Sequence, residues 1–156
     1  MGVPQRRERT FFIANRLEKK IKIGFSEEKI PAKTAFAGVL DINHKTLSVL
    51  ETKWWGLCKP GYSFRTVQTN GSWFNAFKCD KNSVCPTVLG SARTSSTGLY
   101  HWDEPRHLSI GEYRRLQTFP EDYNHLNVKP VYIYGMSVPP FMMQRVADQI
   151  ERQLLT

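Results

Sequence analysis

Four apolar residues stand in succession at Phe11-Phe12-Ile13-Ala14, led by charge and closed by Asn15. A run of that length without polar alternation predicts a strand over residues 10–14, buried on both faces. The next stretch, residues 16–36, is basic and lacks clean periodicity, so it reads as a connector between two parts of the chain. Residues 35–50 (AFAGVLDINHKTLSVL) fit a helix and a strand equally well. In residues 62–79, Asn70-Gly71 separates two runs rich in β-branched and aromatic residues, which predicts a β-hairpin. Residues 91–98 (SARTSSTG) are small and polar and read as a loop.

Beyond that loop the pattern turns helical. Ser109 followed by Glu112 forms a capping box, Ile110, Tyr113, Leu116 and Gln117 lie on neighbouring faces, and Pro120 ends the helix. Pro139-Pro140 open a further helix, in which Met143, Val146, Ile150 and Leu154 predict one apolar stripe. Asp148 and Arg152 stand four apart on another face of it.

Composition narrows the class. The 156 residues suit about one domain, and 40 % apolar with 23 % charged residues describes a globular chain. No apolar run reaches the roughly 18 residues of a membrane span, and no signal-peptide pattern is present, so the chain reads as cytosolic. The net charge of +8 is uneven: residues 1–93 hold 16 Lys/Arg against 7 Asp/Glu, whereas residues 94–156 hold 6 against 7. A cationic front suits a polyanionic partner, and a neutral rear suits packing against protein. Cys58, Cys79 and Cys85 are odd in number and form no CxxC pair. They read as buried, reduced thiols, with neither a disulfide framework nor a metal site.

Four separated stretches carry a family resemblance. GVPQRRERTFFIA resembles the Gln-x-Arg-x-Arg motif of the DNA (cytosine-5) methyltransferases, the eighth of that family's motifs. PTVLGS is similar to the Thr-Leu element of their target recognition domain, EPRHLSIGEYRRLQTFPEDY to the ninth motif and YGMSVPP to the tenth. The resemblance implies an α/β fold: the C-terminal part of an S-adenosylmethionine-dependent, Rossmann-like methyltransferase domain carrying a small, β-rich target recognition domain. Residues 1–15 would supply the eighth-motif strand, 16–104 the recognition domain, and 105–156 the helical segment returning to the catalytic domain.

The same resemblance implies double-stranded DNA as partner, S-adenosylmethionine as cofactor and a flipped cytosine as the reacting base, in the setting of restriction–modification. Gln5, Arg7 and Arg9 match the eighth motif. Arg9 is expected near the flipped cytosine and its backbone, and Arg7 near phosphate. On a strand these three side chains share one face, with Arg6 and Glu8 on the other. A cation beside the base oxygen favours electron flow into the ring as a thiolate adds.

Thr87 matches a phosphate-contacting threonine. Arg93, Thr94, Ser95 and Ser96 occupy the loop that follows, where arginine is the usual reader of guanine. Lys78, Lys81 and Arg65 are expected to add non-specific phosphate attraction. Trp54, Trp55, Trp73 and Phe74 read as core. Arg106, Glu112, Arg115, Gln117 and Pro120 fit the ninth motif in a structural role. Ser137 and Val138 match positions lining the S-adenosylmethionine pocket, and Met136 stands where many members have asparagine.

The family's Pro-Cys nucleophile has no match, because the cysteines lie in LCKP, KCDK and VCPT. A cofactor glycine turn and a Glu-Asn-Val element are likewise unmatched. A chain of this kind is expected to be inactive alone, its nucleophile supplied by a second chain or a missing N-terminal region. A non-catalytic DNA-binding protein and an inactive remnant are the competing readings.

Overall fold

The computed structural model describes residues 1–40, 43–94 and 96–155. In chain order the elements are α1 (Ala32–Ala35), α2 (Val49–Leu57), β1 (Asn75–Lys78), β2 (Thr97–Tyr100), α3 (Ile110–Leu116), α4 (Pro130–Met136) and α5 (Pro140–Ile150). A 3-10 turn, Phe64–Thr66, precedes β1, and a π-helical turn, Glu151–Leu155, continues α5.

β1 and β2 pair in parallel, with Asn75 opposite Thr97 and Lys78 opposite Tyr100. Because successive side chains leave a strand on opposite faces, β2 feeds two apolar clusters. Leu99 enters the larger one, with Phe36, Val88, Leu108, Tyr113, Leu116, Val131 and Tyr134. Tyr100 enters the smaller one, with Cys58, Phe64 and Ala76, against which Trp54, Trp55 and Trp73 pack. All three cysteines are buried free thiols.

Two helices start on complete capping boxes. The Ser48 hydroxyl accepts from Glu51 N at 3.3 Å while the Glu51 carboxylate accepts from Ser48 N at 2.8 Å. Ser109 and Glu112 repeat the exchange at 3.1 and 2.7 Å, as the sequence pattern predicts. Each cap is worth about 1 kcal/mol. α4 opens on Pro130, whose missing N–H costs nothing at a first helical position.

Several sequence expectations are corrected. Residues 10–14 form no strand, and Phe12 is 95 % exposed. A strand needs a neighbour for its N–H and C=O groups, and among the described residues no backbone hydrogen bond joins this segment to another. Pairing occurs earlier instead, where Arg6 N donates to Cys85 O and Cys85 N to Pro4 O, bridging Gln5 and Cys85 in parallel. The hairpin at Asn70-Gly71 also differs. The chain does reverse there and Ser63 bridges Phe77 antiparallel, but the first arm coils into the 3-10 turn. The Ser63 hydroxyl accepts from Arg65 N and donates to the Trp73 and Phe74 carbonyls, and Phe64 is fully buried. Among the described residues the expected β-rich module holds one two-stranded parallel ribbon. Phe74, expected in the core, is exposed. Along α5 and the π-helical turn that continues it the buried seam is Met142, Val146 and Leu154, and Met143 faces outward.

Candidate functional site

The segment Gln5–Arg9 lies where the other motif-bearing stretches meet. Gln5 and Arg7 are buried, Arg6 and Glu8 exposed, so two-residue alternation holds to that point. Gln5 is a clamp: its amide nitrogen donates to Leu116 O at 2.8 Å, and its amide oxygen accepts from Val88 N at 3.3 Å. Arg7 is a second. One arm of its guanidinium donates to Val88 O at 3.2 Å, the other to Gly135 O at 2.8 Å and Ser137 O at 2.5 Å. Two of those carbonyls lie at the C-terminal end of α4, where a cation complements the helix dipole. Burial, and then the neighbouring Arg9 charge, lowers the Arg7 pKa to about 10. The fork expected near phosphate is thus committed to backbone carbonyls.

Arg9 departs from the alternation. It is exposed, and one arm donates to the adjacent Glu8 carbonyl at 2.6 Å. Thr87, expected at phosphate, donates its hydroxyl to Arg6 O, fastening the same segment from the other side.

α4 reaches this junction through close backbone contact. A Cβ on Gly135 would lie 2.0 Å from Gly90 N and 2.3 Å from the Leu89 carbonyl carbon. The Ser137 hydroxyl donates to Ile133 O, and Ser137 and Val138 are half-buried. Met136 is largely exposed, its side chain lying over Gly90.

Lys78 sits elsewhere than expected. It shares the inner face of β1 with Ala76, its ammonium 3.7 Å from the centre of the Trp55 ring and donating to Trp55 O at 3.1 Å. It is buried, and burial lowers its pKa, so it is withdrawn from solvent and from phosphate. Arg65 and Lys81 are exposed. Arg93 and Thr94 lie on the turn before β2, and Ser95 falls outside the described residues. Arg93 takes a left-handed φ of +70°, a conformation that favours glycine.

The ninth-motif residues form a braced unit. Arg106 forks onto Glu112 at 2.8 and 2.9 Å and onto Glu104 at 2.8 Å, so the buried capping glutamate is charge-paired. Arg115 pairs with Glu121 just past Pro120. Gln117 is fully buried, and among the described residues neither of its amide atoms finds a hydrogen-bond partner.

With that geometry in view, three comparisons bear on the chain. Residues 41–152 match the family model for C-5 cytosine-specific DNA methylase. The chain belongs to this family. Type II methyltransferase M.BbvI of Brevibacillus brevis is 48 % identical over 56 residues, 35 % of this chain and 15 % of that protein. Type II methyltransferase M1.HphI of Haemophilus parahaemolyticus is 27 % identical over 173 aligned positions, 96 % of this chain and 44 % of that protein. A crystal structure of a DNA modification methyltransferase encoded within an E. coli prophage superposes with a TM-score of 0.56 at 19 % identity, covering 74 % of this chain and 30 % of that one, which supports an α/β methyltransferase fold. The chain spans less than half the length of the curated relatives it matches.

Within this C-5 cytosine methylase chain, sequence reasoning missed one buried network. Glu51 accepts from Tyr100 OH at 3.1 Å and lies 3.1 Å from His107 Nε2. The Ser48-x-x-Glu51 spacing was the available signal. Burial would raise the Glu51 pKa, but hydrogen bonds from Ser48 and His107 hold it below the usual carboxylate range. Burial pushes His107 down to about 4 from 6.5, against the pull of Glu51. An unfolded histidine takes up its proton first as pH falls, and Glu51 lowered in the fold adds in the same direction. Stability is therefore full above about pH 6.5 and declines as pH falls towards 4, by on the order of 3 kcal/mol from His107. Urea midpoints measured across that window are expected to fall steadily, and a flat profile would contradict the buried neutral histidine.

Proposed function

We propose that this chain is the C-terminal part, or small subunit, of a DNA (cytosine-5) methyltransferase: it holds the target DNA and the flipped cytosine and closes one edge of the cofactor pocket. The observation that carries the reading is the Arg7 fork. A single side chain ties the eighth-motif segment to the Thr-Leu element through Val88 and to the tenth motif through Gly135 and Ser137. Gln5 adds the ninth motif through Leu116. The family's scattered motifs are thereby fastened around one short stretch of backbone. Arg9, at the edge of that stretch, keeps a guanidinium to place beside the base oxygen, where it would stabilise charge developing as a thiolate adds.

In this division residues 1–15 belong with the catalytic domain, 16–104 form the recognition module and 105–156 return to the catalytic domain. Arg65, Lys81, Arg93 and Thr94 stay assigned to DNA. Arg7 and Thr87 act as positioning residues. S-adenosylmethionine, which carries the methyl group on a sulfonium, fits here along one edge only. Half-buried Val138 offers it apolar contact, and the Ser137 hydroxyl, already donating to Ile133, retains an acceptor lone pair. Arg7 fixes the Ser137 carbonyl and so holds that edge still.

No cysteine here follows a proline, and we assign the nucleophile to the complementary portion, either a second chain or an N-terminal region. The exposed Phe12 and the outward-facing Phe141 and Met143 suit docking against it. Among the described residues no helix is long and apolar enough to cross a membrane. The test is to combine the chain with the Pro-Cys-bearing half of a related methyltransferase and measure labelled methyl transfer to duplex DNA. Transfer requiring both pieces supports the reading. Specific, salt-dependent duplex binding with no transfer in any pairing favours the non-catalytic DNA-binding alternative.

A further inference from the structure

Lys45, Ser91, Arg93, Thr94 and Lys129 line one concavity of about 490 Å³. Its three cations come from distant parts of the chain: one before α2, one on the turn leading into β2 and one at the start of α4. Among the described residues its lining includes no carboxylate. Among the described residues none of the three cations is ion-paired. Charges left uncompensated around a hollow repel one another and favour an anion between them.

Two further observations place Lys45 close to Arg93. The Lys45 ammonium donates to the Arg93 carbonyl at 3.4 Å. The charges of Lys45 and Arg93 also both act on buried His107, behind the turn. The turn is held in shape by its own contacts. Thr94 and Thr97 share a hydroxyl hydrogen bond, and Thr97 donates to Ser91 O at 2.8 Å. Gly98, with φ +132°, leaves no room for a side chain, since a Cβ there would lie 2.9 Å from Arg93 N. Arg93 itself keeps a left-handed φ of +70° over that contact, so the turn presents its side chain from a backbone conformation that most residues avoid.

We infer that this concavity is a phosphodiester clamp, in which Lys45 and Lys129 grip one backbone phosphate of the DNA beside the step that Arg93 addresses. The inference rests on the reading of this chain as a DNA-binding part of a methyltransferase and adds the two lysines to it. Phosphate contacts of this kind fix the register of a protein on the duplex. Here the clamp spans the recognition turn and the tenth-motif helix, so a single phosphate would hold both against the DNA.

The test is fluorescence anisotropy of a labelled duplex with the full chain between about 50 and 200 mM salt, for wild type, Lys45→Gln, Lys129→Gln and the double variant. Both lysines are exposed, and unchanged melting temperatures check that the fold is intact. Each neutralised phosphate contributes about 0.9 to the slope of log affinity against log salt. One shared phosphate predicts that the double variant loses about 0.9, no more than a single contact. A loss of about 1.8, the sum of two separate contacts, would overturn the shared clamp, as would an unchanged slope in a wild type that binds. A wild type with no duplex affinity would sink the parent reading and this inference with it. Inorganic phosphate displacing the duplex at constant ionic strength would show a free-anion site and overturn the assignment to DNA.

Discussion

Gly135→Ala is expected to lower stability by about 4 kcal/mol, at the exceptional end for a single methyl group. Overpacking usually costs about 1–3 kcal/mol because side chains can shift. At Gly135 the obstruction is backbone on both counts, Gly90 N at 2.0 Å and the Leu89 carbonyl carbon at 2.3 Å. Relief requires α4 to move away, and that breaks the Arg7 bonds to Gly135 and Ser137. For a domain of this size, thermal denaturation should show a melting temperature lower by roughly 10 °C. Met136→Leu, one position along on an exposed side chain, should leave it within about 2 °C, since surface changes rarely exceed about 0.5 kcal/mol.

Arg7→Met is expected to cost about 2–3 kcal/mol although it keeps most of the side-chain volume. It leaves the carbonyls of Val88, Gly135 and Ser137 without their donor, and each buried group so abandoned costs about 1–3 kcal/mol. Part of that is offset, because a buried cation no longer has to be desolvated, a cost visible in the lowered Arg7 pKa. Arg9→Met should be nearly neutral by the same chemical denaturation, because Arg9 is exposed and, among the described residues, holds only its neighbour's carbonyl. Equal losses at the two positions would show that both arginines are structural.

Much of the ninth-motif region was legible because its signals are local. The Ser109–Glu112 box needs four residues, and Pro120 stops the helix by its own ring. The recognition region was read less well because its pairing is not local. β1 finds its partner about twenty residues on, in parallel, and a parallel pair leaves no turn signature. The Asn70-Gly71 turn is real, but what lies before it follows from the Ser63 hydroxyl and burial of Phe64, which hairpin patterns do not encode. Lys78 looked like a surface cation until the strand phase placed it with Ala76 over Trp55. The resemblance named Gln5, Arg7 and Arg9 together, and alternation grouped them on one face. The structure separates them, since the two-residue period ends at Arg7. Lys45 and Lys129 carried no motif, and only the fold places them beside Arg93.

The central claim is that the exposed arginine of this segment serves the reacting base while the buried one holds the scaffold. The most direct measurement is labelled methyl transfer to duplex DNA by the chain combined with a Pro-Cys-bearing complementary half, comparing wild type with Arg9→Ala. A transfer rate reduced by a factor of about 100 or more, the scale of losing one charge-stabilising donor, with the melting temperature unchanged, is the predicted result. Transfer at the wild-type rate by Arg9→Ala would contradict it.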